Sequence, residues 1–133
     1  AWQAARSVVR WDGKVDKGLA RWRAAAARAA KQSRRLRVPR LEAAGTGSVA
    51  ELLAGADLPL VLHEGSAQPL SEVPVPSTGR VVVVIGPEGG IAPDELGTFT
   101  AAGARPVLVS DAVLRSSTAG VVALAQVRAL AGR

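Results

Sequence analysis

The sequence predicts an α/β fold, a mostly parallel sheet with helices on both faces. Three observations carry this. Val81–Ile85 is apolar at every position, as a parallel strand buried between two helix layers should be. Strand-like runs (Leu58–His63, Val81–Ile85, Pro106–Val109) alternate with helical patterns, the order of βαβ units. Finally, hydrophobic residues make up 48% of the 133, yet there are three Trp, one Phe and no Tyr, so Ala, Val and Leu must fill the core. The length suits one domain.

Along the chain, Ser7–Trp11 is a candidate first strand, ended by the Asp12-Gly13 turn signal. From Asp16 to Arg35 the chain is Ala-rich and free of Pro. Leu19, Trp22, Ala26, Ala29 and Ala30 fall on one face, which predicts an amphipathic helix. Pro39 imposes an extended segment around Arg37–Leu41. Ser48-Val49-Ala50-Glu51 has the form of a capping box opening a short helix to Ala54, stopped by Gly55. Residues 65–79 hold three Pro, two Gly and three Ser and read as a surface loop with room for one helical turn. Pro93-Asp94-Glu95 opens a helix that ends near Gly103, with Pro near its first position and acids in its first turn. Asp111–Arg115 is a loop. Ser116–Leu130 is the last helix, with Ser116 or Ser117 placed to cap it.

Composition excludes several classes. Without Cys there are no disulfides or thiolate metal sites, and a single His excludes a multi-histidine centre; no metal is expected. No apolar stretch approaches the roughly 20 residues of a membrane span. Residues 1–6 are not a signal peptide, so a cytoplasmic protein is expected. The net charge of +6 is unevenly spread. Residues 1–40 carry twelve Lys and Arg against two Asp, +10, and the remainder is −4. That asymmetry suits a polyanionic partner, nucleic acid, although a basic run can also be a solvated helix face.

Three constellations can carry chemistry. Gly86-Pro87-Glu88-Gly89-Gly90 leaves a buried strand and enters a helix, where open α/β sheets bind ligands. Its glycines allow backbone to approach a ligand closely. The same loop, taken alone, also suits an ordinary tight turn, and it is neither a Walker loop nor Gly-x-Gly-x-x-Gly. Leu108–Ala119 is a second strand–loop–helix passage, where Arg115 can bind an anion or pair with an acid. The third is the basic run Arg28–Arg37. Within it Arg28, Lys31, Arg34 and Arg35 stand at i, i+3, i+6 and i+7, one stripe on a helix suited to RNA phosphates.

Gly86-Pro87-Glu88-Gly89-Gly90, followed by Leu114-Arg115-x-x-Thr118-Ala119 at the head of a C-terminal helix, resembles the ribosomal RNA small subunit methyltransferase E family, SPOUT-class enzymes. Ala5–Val9, Arg21-Trp22, Ala30-Lys31-Gln32-Ser33-x-Arg35, Val38-Pro39 and Leu62-His63-Glu64 match it in order and spacing, so the resemblance spans nearly the whole chain. Four positions depart from the pattern: Val109-Ser110 stands for Leu-Gly, Ser117 for Glu and Arg28 for Glu.

The resemblance implies methylation of uridine N3 in small-subunit rRNA with S-adenosyl-L-methionine, by a homodimer whose C-terminal end forms a trefoil knot. It implies that residues 1–133 are the catalytic domain, without the PUA-like RNA-binding domain that precedes it in the family. The start without Met agrees with this. The implied cofactor site is made by three loops, with Leu62, His63 and Glu64, then Gly86, Pro87, Glu88, Gly89 and Gly90, then Val109, Ser110, Val113, Leu114, Ser116 and Thr118. Arg6 and Arg115 are the candidate catalytic residues, since a guanidinium stays charged and can stabilise negative charge on uracil oxygens. Glu88 reads first as a carboxylate at a helix N-terminus and His63 first as structural. Two alternatives remain open: a non-catalytic RNA-binding module, and another cofactor-binding α/β enzyme acting on small molecules. The Gly-rich loop weighs against the first and the +10 segment against the second. The run Val121, Val122, Leu124, Val127 and Leu130 in the last helix needs cover from the sheet or from a second copy.

Overall fold

The computed structural model describes residues 1–8 and 13–132. The strand expected over Ser7–Trp11 and its Asp12-Gly13 turn therefore fall largely outside the described residues. The observed order is α1 (Val15–Gln32), α2 (Thr46–Ala54), β1 (Leu58–Leu62), a single 3-10 turn (Leu70–Glu72), β2 (Val81–Val84), α3 (Pro93–Ala101), β3 (Arg105–Val107) and α4 (Ser116–Leu130). The strands form one parallel sheet in the order β2-β1-β3, with Leu60 of β1 paired to both Val83 and Arg105.

Helices cover both faces. On one, Val49 and Leu53 of α2 and Phe99 of α3 pack with Val61, Val84, Ile91 and Ala104. On the other, Ala123 and Val127 of α4 pack with Leu58, Leu60, Leu70, Val73 and Val107. Successive side chains of a strand point to opposite faces, so β1 supplies Leu58 and Leu60 to one cluster and Val61 to the other. That makes β1 the central strand. Val81–Ile85, expected at the centre, stops at Val84 as an edge strand among the described residues, with Val81, Val82 and Val83 only half-buried.

Four further expectations are corrected. The short helix starts at Thr46 with Gly45 before it and no side-chain cap, so Ser48 does not cap it. The 65–79 segment is not wholly a surface loop. Leu70 and Val73 are buried, and Leu70 N–H donates to Leu108 C=O at 2.8 Å, which ties the segment to the end of β3. This replaces strand pairing beyond Val107. Trp22 is 54% exposed, and only Leu19 and Ala30 of α1 are buried, so its packed face is narrow.

The last correction concerns the end of α1. The helix stops at Gln32, and Arg34 takes the left-handed conformation, φ 53°. Arg35 N–H donates to Ala30 C=O at 2.9 Å and Arg34 N–H to Lys31 C=O at 3.2 Å. This is the Schellman closure, which satisfies carbonyls a helix end would otherwise leave open. Arg34 and Arg35 therefore lie beyond the helix, and the four cations do not form one helical stripe.

Candidate functional site

The three strands among the described residues are parallel, so their C-terminal ends share one edge of the sheet, where a crevice forms. A cavity of about 520 Å³ lies there. Its walls are the three stretches that follow the strands, residues 62–64, 85–91 and 107–116, together with Arg6 and Ala119. Every expected cofactor residue lines it except Thr118. Leu62, His63, Glu64, Gly86, Pro87, Glu88, Gly89, Gly90, Val109, Ser110, Val113, Leu114 and Ser116 are all in the wall, as are both expected catalytic residues, Arg6 and Arg115. Thr118 is exposed in the first turn of α4, where its N–H donates to Arg115 C=O at 2.9 Å, and Ala119 faces the cavity instead.

The Gly86–Gly90 loop is shaped by its neighbours. A Cβ on Gly89 would stand 2.9 Å from the Arg6 carbonyl oxygen and 3.1 Å from Arg6 Cβ. The absent side chain at Gly89 therefore admits the N-terminal segment. That space, expected from the sequence to face a ligand, is taken by Arg6. Gly90 has φ +73°, a conformation that favours glycine, and its N–H donates to Pro87 C=O at 2.9 Å.

Arg6 sits in a turn closed by Ser7 N–H donating to Ala4 C=O at 3.1 Å. Its guanidinium donates from Nη1 to Gly89 C=O at 3.4 Å. Arg115 is the residue before α4, and its carbonyl accepts from Thr118 and Ala119 N–H, which aims its backbone into the helix start. Neither Ser116 nor Ser117 caps α4. Ser116 Oγ donates instead to Glu88 Oε1 at 3.3 Å, joining two walls of the cavity. His63 Nδ1 accepts from Gly65 N–H at 3.0 Å, so in the neutral ring the proton is carried on Nε2.

Electrostatically the wall is mixed: Arg6 and Arg115 stand with Glu64, Glu88 and Asp111 around apolar Leu62, Ile85, Val109 and Leu114. Such a site can hold a ligand with an apolar ring and both signs of charge. Sequence reasoning missed two residues that hold it in shape. Gln126 of α4 donates from Nε2 to Val109 C=O at 3.0 Å. Its only signal was an isolated polar residue in an apolar helix stretch. Glu95, read merely as a first-turn acid, is buried and accepts from Ala5 N–H at 2.9 Å.

The basic residues lie apart from the cavity. Arg28 and Lys31 are exposed on α1, and Arg34 and Arg35 are exposed just beyond it. Among the described residues no helix is long and apolar enough to cross a membrane.

Comparison with known proteins agrees with this geometry. Residues 1–128 match the family model of the RNA methyltransferase domain. Ribosomal RNA small subunit methyltransferase E of Mycobacterium tuberculosis is 47% identical over 140 residues, an alignment that takes in 100% of this chain and 53% of the relative. The chain thus spans about half the length of that curated relative. A methyltransferase from Legionella pneumophila, solved with the bound cofactor SAM, superposes with a TM-score of 0.87 at 27% identity, covering 96% of this chain and 53% of that one. A ribosomal RNA small subunit methyltransferase E from Neisseria gonorrhoeae, bound to S-adenosyl methionine, gives 0.81 at 29% identity, covering 97% and 53%. With the parallel sheet, the edge cavity and the family match over residues 1–128, the chain belongs to the RNA methyltransferase domain family.

Proposed function

We propose that this chain transfers a methyl group from S-adenosyl-L-methionine to small-subunit rRNA, at N3 of a uridine. The observation that carries this is the 520 Å³ cavity made by the three post-strand loops, with Arg6 and Arg115 in its wall. Solved relatives that share this fold hold the cofactor.

The residues present fit the cofactor. Leu62, Ile85, Val109 and Leu114 offer apolar surface for an adenine ring, and the Gly86–Gly90 loop offers backbone polar groups. Glu64, Glu88 and Asp111 complement a molecule with a sulfonium and an ammonium, and their carboxylates can accept from ribose hydroxyls. When bound, the cofactor supplies a methyl group on sulfur that is ready for in-line displacement. The chain's own residues orient the base and exclude water. Arg6 and Arg115 donate to the uracil oxygens as N3 loses its proton, and their fixed charge favours the anionic form. Glu88, held by Ser116 in the cavity wall, accepts the N3 proton.

Arg28, Lys31, Arg34 and Arg35 then grip rRNA phosphates outside the cavity. The exposed apolar face of α4, with Val121 at 69% and Leu124 at 58%, supports the homodimer reading. The trefoil threading of the C-terminal end that the resemblance implies belongs to the same reading. An rRNA substrate would place the protein in the cytoplasm.

Methyl transfer to undermethylated small-subunit RNA, followed by nucleoside mass spectrometry, tests the reading. N3-methyluridine at one position is expected; a methylated base other than uridine would overturn the position assignment.

A further inference from the structure

Glu95 is the one buried charged residue among the described residues, at 6% exposure. It stands near the start of α3, and its two carboxylate oxygens divide their work. Oε1 accepts from Ala5 N–H at 2.9 Å and from Thr46 Oγ1 at 3.3 Å. Oε2 accepts from Ala92 N–H at 3.3 Å, closing the N-terminus of α3. The first of these bonds links residues 90 apart in sequence. A helix cap alone needs only the third, so the Ala5 contact asks for a different reason.

Ala5 is followed by Arg6. The turn that presents Arg6 is closed by Ser7 N–H on Ala4 C=O, and Ala4 is 2% exposed. Arg6 in turn lies against Gly89 and donates to its carbonyl. A buried carboxylate without its donors is costly, so each donor is held where it is. Glu95 thus fixes the base of the turn while Gly89 receives its tip.

We infer that Glu95 is the positioning residue for Arg6: by gripping Ala5 N–H it sets the guanidinium against the cavity wall. This rests on the proposed function, in which Arg6 faces the uracil. Glu95 itself touches neither substrate nor cofactor.

The experiment compares Glu95→Gln, Glu95→Ala, Arg6→Ala and the Arg6→Ala/Glu95→Ala pair in the full chain. A Gln amide oxygen can keep both Ala5 N–H and the Thr46 hydroxyl, while its NH₂ faces Ala92 N–H, so Glu95→Gln loses the cap and keeps the grip. The first readout needs no cofactor: exchange of the Ala5 amide proton, followed by NMR. Glu95→Ala should speed it at least about tenfold, which a 1.4 kcal/mol change gives, and Glu95→Gln much less. The second is methyl transfer at saturating RNA. Glu95→Ala should fall to the level of Arg6→Ala, the pair should be no worse than Arg6→Ala alone, and Glu95→Gln should restore most of kcat. Equal losses in Gln and Ala, or losses that multiply in the pair, would overturn the positioning role. Unchanged Ala5 exchange in Glu95→Ala would do so as well. If Arg6→Ala transfers methyl normally, the role given to Arg6 falls, and Ala5 exchange still decides whether Glu95 holds the turn. Should Glu95→Ala fail to fold, Glu95→Gln with Thr46→Val carries the comparison. Thr46→Val removes a neighbouring bond to Oε1 and should leave Ala5 protected, and rapid Ala5 exchange in Glu95→Gln would then count against the proposal.

Discussion

Ser116 donates from Oγ to Glu88 Oε1 across 3.3 Å, tying the first turn of α4 to a loop 28 residues earlier in the chain. The two residues belong to different walls of one cavity. Removing the hydroxyl in Ser116→Ala leaves Glu88 without this partner. The bond is exposed and adds little to folding, but freeing Glu88 in the cavity wall should lower S-adenosylmethionine affinity roughly two- to tenfold, up to about 1.4 kcal/mol. Calorimetric titration of the variant checks this, with the Tm expected to move little.

Gly89→Val brings a branched side chain to a point where a plain Cβ already meets Arg6 O at 2.9 Å. The Arg6 turn or the loop must move. Cofactor affinity should drop at least about tenfold, a 1.4 kcal/mol effect. Gly97→Ala is the control: its Cβ meets nothing within 4 Å inside α3. It should leave affinity alone and add roughly 0.5–1 kcal/mol of stability by helix propensity. Thermal melts and titration of both variants separate strain at the loop from a general effect of filling glycines.

Arg34 holds φ 53° at the position after the α1 cap, where glycine costs least. Arg34→Gly should therefore keep or raise stability, by up to about 1 kcal/mol. If Arg34 meets rRNA phosphate, the same change weakens RNA binding on every sequence and lowers the salt slope by about one unit. RNA affinity at several salt concentrations, read beside the Tm, tests both halves. A higher Tm with an unchanged slope would remove Arg34 from the RNA surface.

Leu124→Glu places a charge on the exposed face of α4 next to Val121. If a second copy covers that face, the variant should sediment as a monomer at micromolar concentration while its melt stays close to that of the parent. A parent that is itself monomeric there would contradict the dimer.

The parts legible in the sequence are those set by local chemistry. Pro93 at the first position of α3 and the Ser116–Leu130 helix came from single-residue conformational rules and period. The cavity walls were legible through motifs, and only Thr118 fell outside them. What was not legible depends on partners distant in sequence. Glu95 looked like an ordinary first-turn acid because Ala5 lies 90 residues away. Ser48 had the pattern of a cap, but Gly45 and Thr46 start that helix earlier, and Thr46 Oγ1 reaches Glu95. Leu70 sits among Pro, Gly and Ser, and its burial follows from packing with Leu58, Leu60 and Val107, where the bond from its N–H to Leu108 C=O holds the segment. The cation stripe failed because a helix end without glycine placed Arg34 in the left-handed region, one residue past the cap.

The most direct test of the account is calorimetric titration of this chain with S-adenosylmethionine and with S-adenosylhomocysteine. Saturable binding of both at one site per chain is expected, weakened at least about tenfold by Gly89→Val and unchanged by replacing Arg34 and Arg35 with Ala. A folded chain that binds neither molecule, or binds them equally well after Gly89→Val, would contradict it.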